Sequence, residues 1–137
     1  MSAAQRFIRS PQFAVVGAST SPEKFGNKVL RWYIKSGLKV IPINPKVAEI
    51  ESLATVASIK ELPNPTETAL SVITPPKITL QVLKDAEELG IQNVWIQPGA
   101  EDGEVMKFAK TSSMNLIMGG PCILVQGPDL VRLRGRL

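Results

Sequence analysis

The chain contains no histidine among its 137 residues. Histidine is the usual general base near neutral pH and a common metal ligand. Its absence excludes a Ser-His-Asp triad, a Cys-His pair and a phosphohistidine intermediate. Cys122 is the single cysteine, so an internal disulfide cannot form and a structural zinc site is not expected. This cysteine usage suits a reducing compartment, and we expect a cytoplasmic protein, with a mitochondrial location left open.

Long apolar runs and a strong excess of one charge are also missing. No run approaches the length that crosses a bilayer, and residues 1–10 are too polar for a signal peptide. The net charge of +4 favours an anionic small-molecule ligand, and we expect neither a nucleic-acid nor a membrane partner. Near the end, Arg132, Arg134 and Arg136 would share one side of an extended segment, which we interpret as a solvated end.

Short apolar segments alternate with segments of helical periodicity along the chain. Proline pairs suit the first turn of a helix, and we place Pro75–Pro76 there. The buried stripe of that helix is predicted at Ile78, Val82, Ala86 and Leu89. Strands are predicted at 13–16, 39–43, 53–56, 69–73, 93–96 and 116–118, with one more at 123–125.

This alternation predicts parallel strands joined by right-handed crossovers in a single domain of residues 1–137. We expect a Rossmann-like, doubly wound α/β fold with helices on both faces of a mainly parallel sheet of five or six strands. The predicted strand order is 3-2-1-4-5, with a sixth strand next to the fifth. In such sheets a ligand binds beyond the carboxyl ends of the strands, where the strand order reverses.

The turn after the first predicted strand consists of small residues, Gly17, Ala18 and Ser19. Small residues let the backbone approach a phosphate closely, and free N–H groups at a helix start can donate to its oxygens. The motif is neither Gly-x-Gly-x-x-Gly nor a P-loop. A tight turn capped by a hydroxyl side chain is the alternative interpretation.

The turn after the second predicted strand is Asn44-Pro45-Lys46. A standard NAD-binding unit has an acidic residue near this point, which binds the ribose hydroxyls. A lysine suits a phosphate better than a neutral diol, so this turn disfavours NAD and leaves NADP possible. The alternative interpretation is an exposed lysine on an ordinary turn.

Later turns supply further candidates for the same crevice. Thr74-Pro75-Pro76 would form a rigid side against an adenine or a pantetheine arm, and Ile96-Gln97 would place a polar side chain nearby. Cys122 either meets the reactive end of a ligand or is a small buried side chain, the commoner role of a lone cysteine.

These turns together resemble the CoA-binding domain of the succinyl-CoA synthetase α-subunit and its free-standing relatives. The resemblance implies a coenzyme A site formed by Gly17, Ala18, Ser19, Lys46, Thr74-Pro75-Pro76 and Ile96-Gln97, with Lys24 as a further phosphate candidate beside the first turn. It rests on Val15-Val16-Gly17-Ala18-Ser19, Pro42-Ile43-Asn44-Pro45-Lys46, Val72-Ile73-Thr74-Pro75-Pro76, Val94-Trp95-Ile96-Gln97-Pro98-Gly99 and the closing Gly120-Pro121-Cys122.

The chain also departs from those synthetases. Their phosphorylated histidine lies in a second domain, and this sequence has neither, while Gly120-Pro121 directly precedes Cys122 without the intervening asparagine. The ligase reaction is therefore not carried over. We expect a stand-alone module that binds CoA or an acyl-CoA. The alternatives are an enzyme that uses NADP or Cys122, and a nucleotide-sensing regulatory subunit; a homodimer or a partner subunit stays open.

Overall fold

The structure is a computed structural model that describes residues 1–135. It contains a five-stranded sheet, a separate two-stranded hairpin and five α-helices within those residues. Two 3₁₀ turns lie at Ile59–Glu61 and Pro65–Glu67. In chain order the other elements are α1 (Ala3–Ile8), β1 (Gln12–Val16), α2 (Phe25–Lys35), β2 (Val40–Ile43), β3 (Glu49–Ile50), β4 (Leu53–Ala54), β5 (Thr68–Val72), α3 (Pro76–Glu88), β6 (Asn93–Ile96), α4 (Gly103–Thr111), β7 (Asn115–Ile117) and α5 (Ile123–Arg134).

The main sheet is parallel throughout and has the order β2-β1-β5-β6-β7. This confirms the predicted Rossmann-like α/β class and places the reversal of strand order between β1 and β5. At that point Val15 lies opposite Pro42 on one side and Ser71 on the other. The carboxyl ends of β1, β2 and β5 therefore meet at one edge of the sheet.

The predicted third strand, 53–56, does not join this sheet as a strand. The chain turns back at Glu51 and Ser52, which both have positive φ, 50° and 65°. Residues 53–54 therefore pair antiparallel with residues 49–50 in a tight hairpin. Only Val56 reaches the outer edge of β2, through a single bridge to Ile43. The expected position beside the second strand is thus reduced to one bridge.

Alternate residues of the strands face two separate apolar cores. Phe13 and Val15 pack under α1, α2 and α5, whereas Ala14 and Val16 pack under α3 and α4. All five residues of β1 are buried, as expected for a central strand covered on both faces. The prediction of helices on both faces is confirmed.

A buried polar contact joins two of the elements that form the crevice edge. The Tyr33 hydroxyl of α2 lies 2.6 Å from the Ser71 hydroxyl of β5, and both side chains are fully buried. Burial raises the pKa of the Tyr33 phenol well above its ordinary value, and the hydrogen bond to Ser71 offsets part of that rise. This contact ties the body of α2 to the centre of the sheet.

The strand predicted at 123–125 is wrong, because these residues begin α5. The N–H groups of Val125 and Gln126 both donate to the carbonyl of Cys122. This hydrogen-bond pattern is that of the first turn of a helix. A run of three apolar residues fits a buried helix start as well as a strand. Arg132 and Arg134 therefore lie on a helix and not on an extended segment, and Arg136 lies outside the described residues.

The predicted core stripe of α3 is confirmed at Ala86 and in part at Val82 and Leu89, which pack partly buried against the core. Thr79, Leu83 and Ala86 are its buried side chains, whereas Ile78 is half exposed. Pro76 occupies the first turn as predicted. Ile78 thus lies on the side of the helix away from the core, and Val82 lies at the boundary, partly buried. Within residues 1–135, no helix has both the length and the apolar composition needed to span a membrane.

Candidate functional site

A crevice of about 650 Å³ lies where the carboxyl ends of β1, β2 and β5 meet. The turns after these strands form one side, and α3 with the first 3₁₀ turn forms the other. Its position is the one that the reversal of strand order predicts for a ligand. The lining residues are Val16, Gly17, Ala18, Ser19, Lys24, Ile43, Asn44, Pro45, Lys46, Ala57, Ser58, Ile59, Ile73, Thr74, Pro75, Ile78, Val82 and Asp85.

The first turn requires glycine at position 17. Gly17 has φ +93°, and a Cβ atom there would lie 2.7 Å from the carbonyl oxygen of Ile73. Gly26, in the first turn of α2, is equally constrained, since its Cβ would lie 2.1 Å from the Gly17 carbonyl oxygen. These two glycines let β1, β5 and the start of α2 approach closely, which brings the helix N-terminus to the crevice.

Side chains behind the first turn support its backbone. The amide of Asn27, which is fully buried, donates to the Ser19 carbonyl at 2.9 Å and accepts from Arg31 Nε at 2.6 Å. Within residues 1–135, no hydrogen bond uses the N–H groups of Ala18, Ser19 or Thr20. The turn is therefore held through its carbonyls, and its donors remain free for an anionic group.

The Asn44 side chain joins the first turn to the turn after β2. Its Nδ2 donates to the Ala18 carbonyl at 3.0 Å, and its Oδ1 accepts from the backbone N–H groups of Lys46 and Val47 at 2.7 and 3.2 Å. Such an Asx turn is typical of asparagine. Asn44 is thus a positioning residue, and it leaves the exposed side chain of Lys46 beside the crevice, which Lys24 also lines.

The third part of the crevice follows β5. The Thr74 and Thr79 hydroxyls lie 2.7 Å apart, which connects the turn to the buried face of α3. Pro75 stands at the helix N-cap and has no N–H group to donate. Below it, Ile78 and Val82 present apolar surface to the crevice. This side is rigid and apolar, in contrast to the donor-rich first turn.

The turn after β6 is occupied by contacts within the fold. Gln97 is 3% exposed; its Oε1 accepts from the Ile123 N–H at 2.9 Å, and its Nε2 donates to the Cys122 sulfur at 3.4 Å. Ile96 is fully buried, and Cys122 is the N-cap residue of α5. Gln97 therefore supports the start of α5, and neither Gln97 nor Cys122 is among the residues that line the crevice.

The structure brings together most of the residues that the sequence singled out. Pro76, Ile96, Gln97 and Cys122 lie outside the lining. Those that line the crevice are Gly17, Ala18, Ser19, Lys24, Asn44, Pro45, Lys46, Thr74 and Pro75.

Sequence reasoning missed the opposite side of the crevice, which includes Ala57, Ser58, Ile59 and Asp85. One signal was present for α3. Asp85 continues the stripe of Ile78 and Val82 at helical spacing, and a carboxylate on a stripe indicates that it does not face a core. Residues 57–59 carry no such sequence signal. They line the crevice because the β3–β4 hairpin directs the chain back towards β2, which local sequence does not reveal.

Comparison with known proteins agrees with this geometry. The α-subunit of the ADP-forming acetate–CoA ligase II of Pyrococcus furiosus is 30% identical over 130 residues, which cover 85% of this chain and 28% of that subunit. This chain thus spans less than a third of the length of that relative. The uncharacterized protein YneT of Bacillus subtilis is 27% identical over 110 residues, covering 80% of this chain and 81% of YneT.

A solved structure and a family model also match this chain. A conserved hypothetical protein from Pyrococcus furiosus superimposes with a TM-score of 0.78 at 39% identity, covering 84% of this chain and 97% of that one. The model of the CoA binding domain matches residues 11–128. That match includes β1 to β7 and every residue of the crevice. The chain therefore belongs to the CoA-binding domain family.

Proposed function

We propose that this chain binds coenzyme A or an acyl-CoA in the crevice between β1, β2 and β5. The observation that carries the proposal is the first turn, where three consecutive N–H groups without partners among residues 1–135 stand beside the N-terminus of α2. Oriented N–H groups at a helix start favour a phosphate. The pyrophosphate of the cofactor binds at Ala18, Ser19 and Thr20.

Two lysines support a second phosphate contact. Lys24 and Lys46 line the crevice on either side of the first turn, and no ion pair within residues 1–135 uses them. A ligand with a phosphate beyond the pyrophosphate, as in CoA, suits this pair of cations. NAD lacks that phosphate, and Asn44, where an acidic residue would bind its ribose, is engaged with the backbone.

Catalysis of the ligase reaction is not part of the proposal. The chain has no histidine that could carry a phosphoryl group, and it matches little more than a quarter of the length of the ligase subunit. That relative is named as a subunit, which supports association with a partner chain as a second role. YneT, most of whose length is matched, supports the stand-alone module instead.

Isothermal titration calorimetry tests the binding proposal. We expect CoA to bind clearly more tightly than NAD, and NADP to bind more weakly than CoA. A thermal-shift series with the same ligands provides a second readout, because a ligand at 100 times its Kd adds about 2.7 kcal/mol of stability. Equal affinities for CoA and NAD, or a preference for NAD, would refute the proposal.

A further inference from the structure

Asp85 is a carboxylate on the crevice side of α3. It follows Ile78 and Val82 at i, i+4 and i+7 on one stripe of the helix, and all three residues line the crevice. The Asp85 side chain is 18% exposed, so it is mostly withdrawn from solvent. A negative group at this place needs an explanation, because the first turn and the two lysines favour an anionic ligand.

The two oxygens of Asp85 differ in their contacts. Oδ1 accepts from Gln81 Nε2 at 3.0 Å and lies 4.0 Å from Lys60 Nζ. Within residues 1–135, no hydrogen bond or ion pair uses Oδ2. The carboxylate is therefore held through one oxygen, while the other is a free acceptor at the crevice. Because the side chain is only partly exposed, a ligand donor that meets this oxygen at the crevice would form a hydrogen bond to a charged acceptor.

The surroundings of Asp85 suit a flat, apolar ring. Ile59 from the 3₁₀ turn and Val82 from α3 line the crevice beside it, and Ile78 is half exposed at the same side. Ile78 and Asp85 are seven residues apart on a helix, a separation of about 10 Å. Asp85 lies nine residues after Pro76, about 14 Å along α3, whereas Ile73, just before that helix, lies against Gly17 of the first turn. The end of the crevice with the carboxylate is thus distinct from the donor-rich end at the first turn.

We infer that Asp85 is a specificity-determining residue that accepts a hydrogen bond from the exocyclic amine of a 6-aminopurine base. The inference rests on the proposed function, since it takes the ligand to be a nucleotide whose phosphates bind at the first turn. The base packs against Ile59 and Val82, and its 6-amino group donates to Oδ2. A base without an amine at this position leaves Oδ2 without a donor from the ligand, while Oδ1 keeps its contacts with Gln81 and Lys60. The site therefore selects adenine nucleotides.

A purely structural role for Asp85 makes a different prediction. In that case its contacts with Gln81 and Lys60 join α3 to the 3₁₀ turn, and the carboxylate has no partner in the ligand. Its removal would then change stability and would affect every ligand of the crevice alike. The two roles are separated by comparing ligands that differ only in the 6-amino group.

The experiment measures the Kd of CoA and of the CoA analogue that carries purine in place of adenine, for three proteins. Wild type is expected to bind CoA about tenfold or more tightly than the purine analogue, because a hydrogen bond to a charged acceptor is lost. In Asp85→Ala we expect CoA to weaken to the level of the analogue, and the analogue to bind no worse than to wild type. Glu88→Ala, an exposed carboxylate at the end of the same helix, should keep the wild-type ratio.

The outcomes separate the inference from the proposed function. Wild type that binds neither ligand refutes the proposed function and the inference with it. Wild type that binds both equally overturns the inference alone, as does an Asp85→Ala protein that keeps the wild-type ratio. If Asp85→Ala does not fold by circular dichroism, Asp85→Leu, which also lacks an acceptor, takes its place, with an expected ratio well below that of wild type. An unchanged ratio in Asp85→Leu would equally overturn the inference.

Discussion

The carboxyl edge of the sheet has two halves that look alike in sequence and differ in structure. In each, a buried strand is followed by a turn with glycine and polar residues: Gly17-Ala18-Ser19 after β1, and Gln97-Pro98-Gly99 after β6. After β1 the Ala18 and Ser19 carbonyls accept hydrogen bonds, and the N–H groups of Ala18, Ser19 and Thr20 have no partner in the described part of the chain. After β6 the Gln97 side chain bonds to the start of α5.

This difference shows which ligand-binding turns can be identified from their position after a strand of the sheet. That position identifies turns that lie at the ligand-binding edge of a doubly wound sheet. It does not tell whether the polar groups of a turn already have partners in the fold. A buried polar group needs a partner, and at Gln97 the protein supplies that partner from α5.

Replacement of one glycine in each half gives the largest expected contrast. Gly17 and Gly99 have nearly the same φ, +93° and +94°. A Cβ at Gly17 would lie 2.7 Å from the Ile73 carbonyl oxygen, whereas one at Gly99 would have no such neighbour within 4 Å among residues 1–135. Gly99→Ala should cost the backbone strain alone, about 1–3 kcal/mol. Gly17→Ala adds a backbone clash and should cost about 2–6 kcal/mol.

Urea unfolding of the two variants measures this contrast. CoA affinity should fall in Gly17→Ala, because the first turn must move away from Ile73, and should be retained in Gly99→Ala. Equal losses of stability in the two variants would show that the close approach of β1 and β5 is less tight than the structure indicates.

Loss of the Lys46 charge should affect the ligand more than the fold. Lys46→Ala is expected to weaken CoA about tenfold or more, and dephospho-CoA much less, because a charge-assisted hydrogen bond to the extra phosphate is removed. Lys39→Ala is the matched control, since this exposed lysine lies at the amino end of β2, on the opposite edge of the sheet. A similar weakening of both ligands would place Lys46 elsewhere than at that phosphate.

Gln97 tests the other half of the edge. Gln97→Ala removes the acceptor of the Ile123 N–H and a buried side chain, so we expect a loss of about 1–3 kcal/mol in the free energy of unfolding. The Kd for CoA should change less than about threefold, within the scatter of a distant substitution. An unchanged stability with a large rise in Kd would instead support the direct role that the family resemblance implies for Gln97.

The Tyr33–Ser71 contact predicts a smaller, pH-dependent effect beneath the crevice half. Because burial raises the pKa of Tyr33, the folded state holds the phenol proton more tightly than the unfolded state. This stabilisation is fully present below the ordinary tyrosine pKa of 10.0 and is lost as the pH rises above it. Stability should therefore fall above about pH 10, by at most about 1.4 kcal/mol per pH unit from this group.

Tyr33→Phe provides the control for that pH dependence. It should lower stability at pH 7, because Ser71 loses its partner, and it should flatten the alkaline decline relative to wild type. The two proteins differ only in the phenol hydroxyl, so the difference between the two curves isolates it. Parallel curves for wild type and Tyr33→Phe would show that Tyr33 does not titrate with unfolding.

Much of the fold could be predicted from periodicity and glycine positions. The apolar runs at 13–16 and 69–73 predicted the central strands, and both are strands in the structure. Gly37, just after α2, has the positive φ that commonly ends a helix. The hairpin at 49–54 could not be predicted, because Glu51 and Ser52 are not the residues that usually adopt positive φ in a tight turn. The start of α5 failed for another reason, since three apolar residues carry no distinguishing period.

The candidate site was predictable where it follows a strand and unpredictable where it depends on tertiary contacts. Lys46 was identified because its turn follows β2. Gly26 and Asn27 were missed, since their roles arise from the packing of α2 against the first turn, which no local pattern expresses. Asp85 was missed because the stripe it belongs to was assigned to the core.

Amide chemical shifts during a CoA titration show which turns of the sheet edge contact the ligand. If the pyrophosphate binds at the first turn, CoA should perturb the N–H signals of Ala18, Ser19 and Thr20 most strongly, and those near Lys46 next. The Ile123 N–H, bonded to Gln97, should shift little. Large shifts at Gln97 and Ile123 with an unperturbed first turn would contradict the assignment of the ligand to the crevice between β1, β2 and β5.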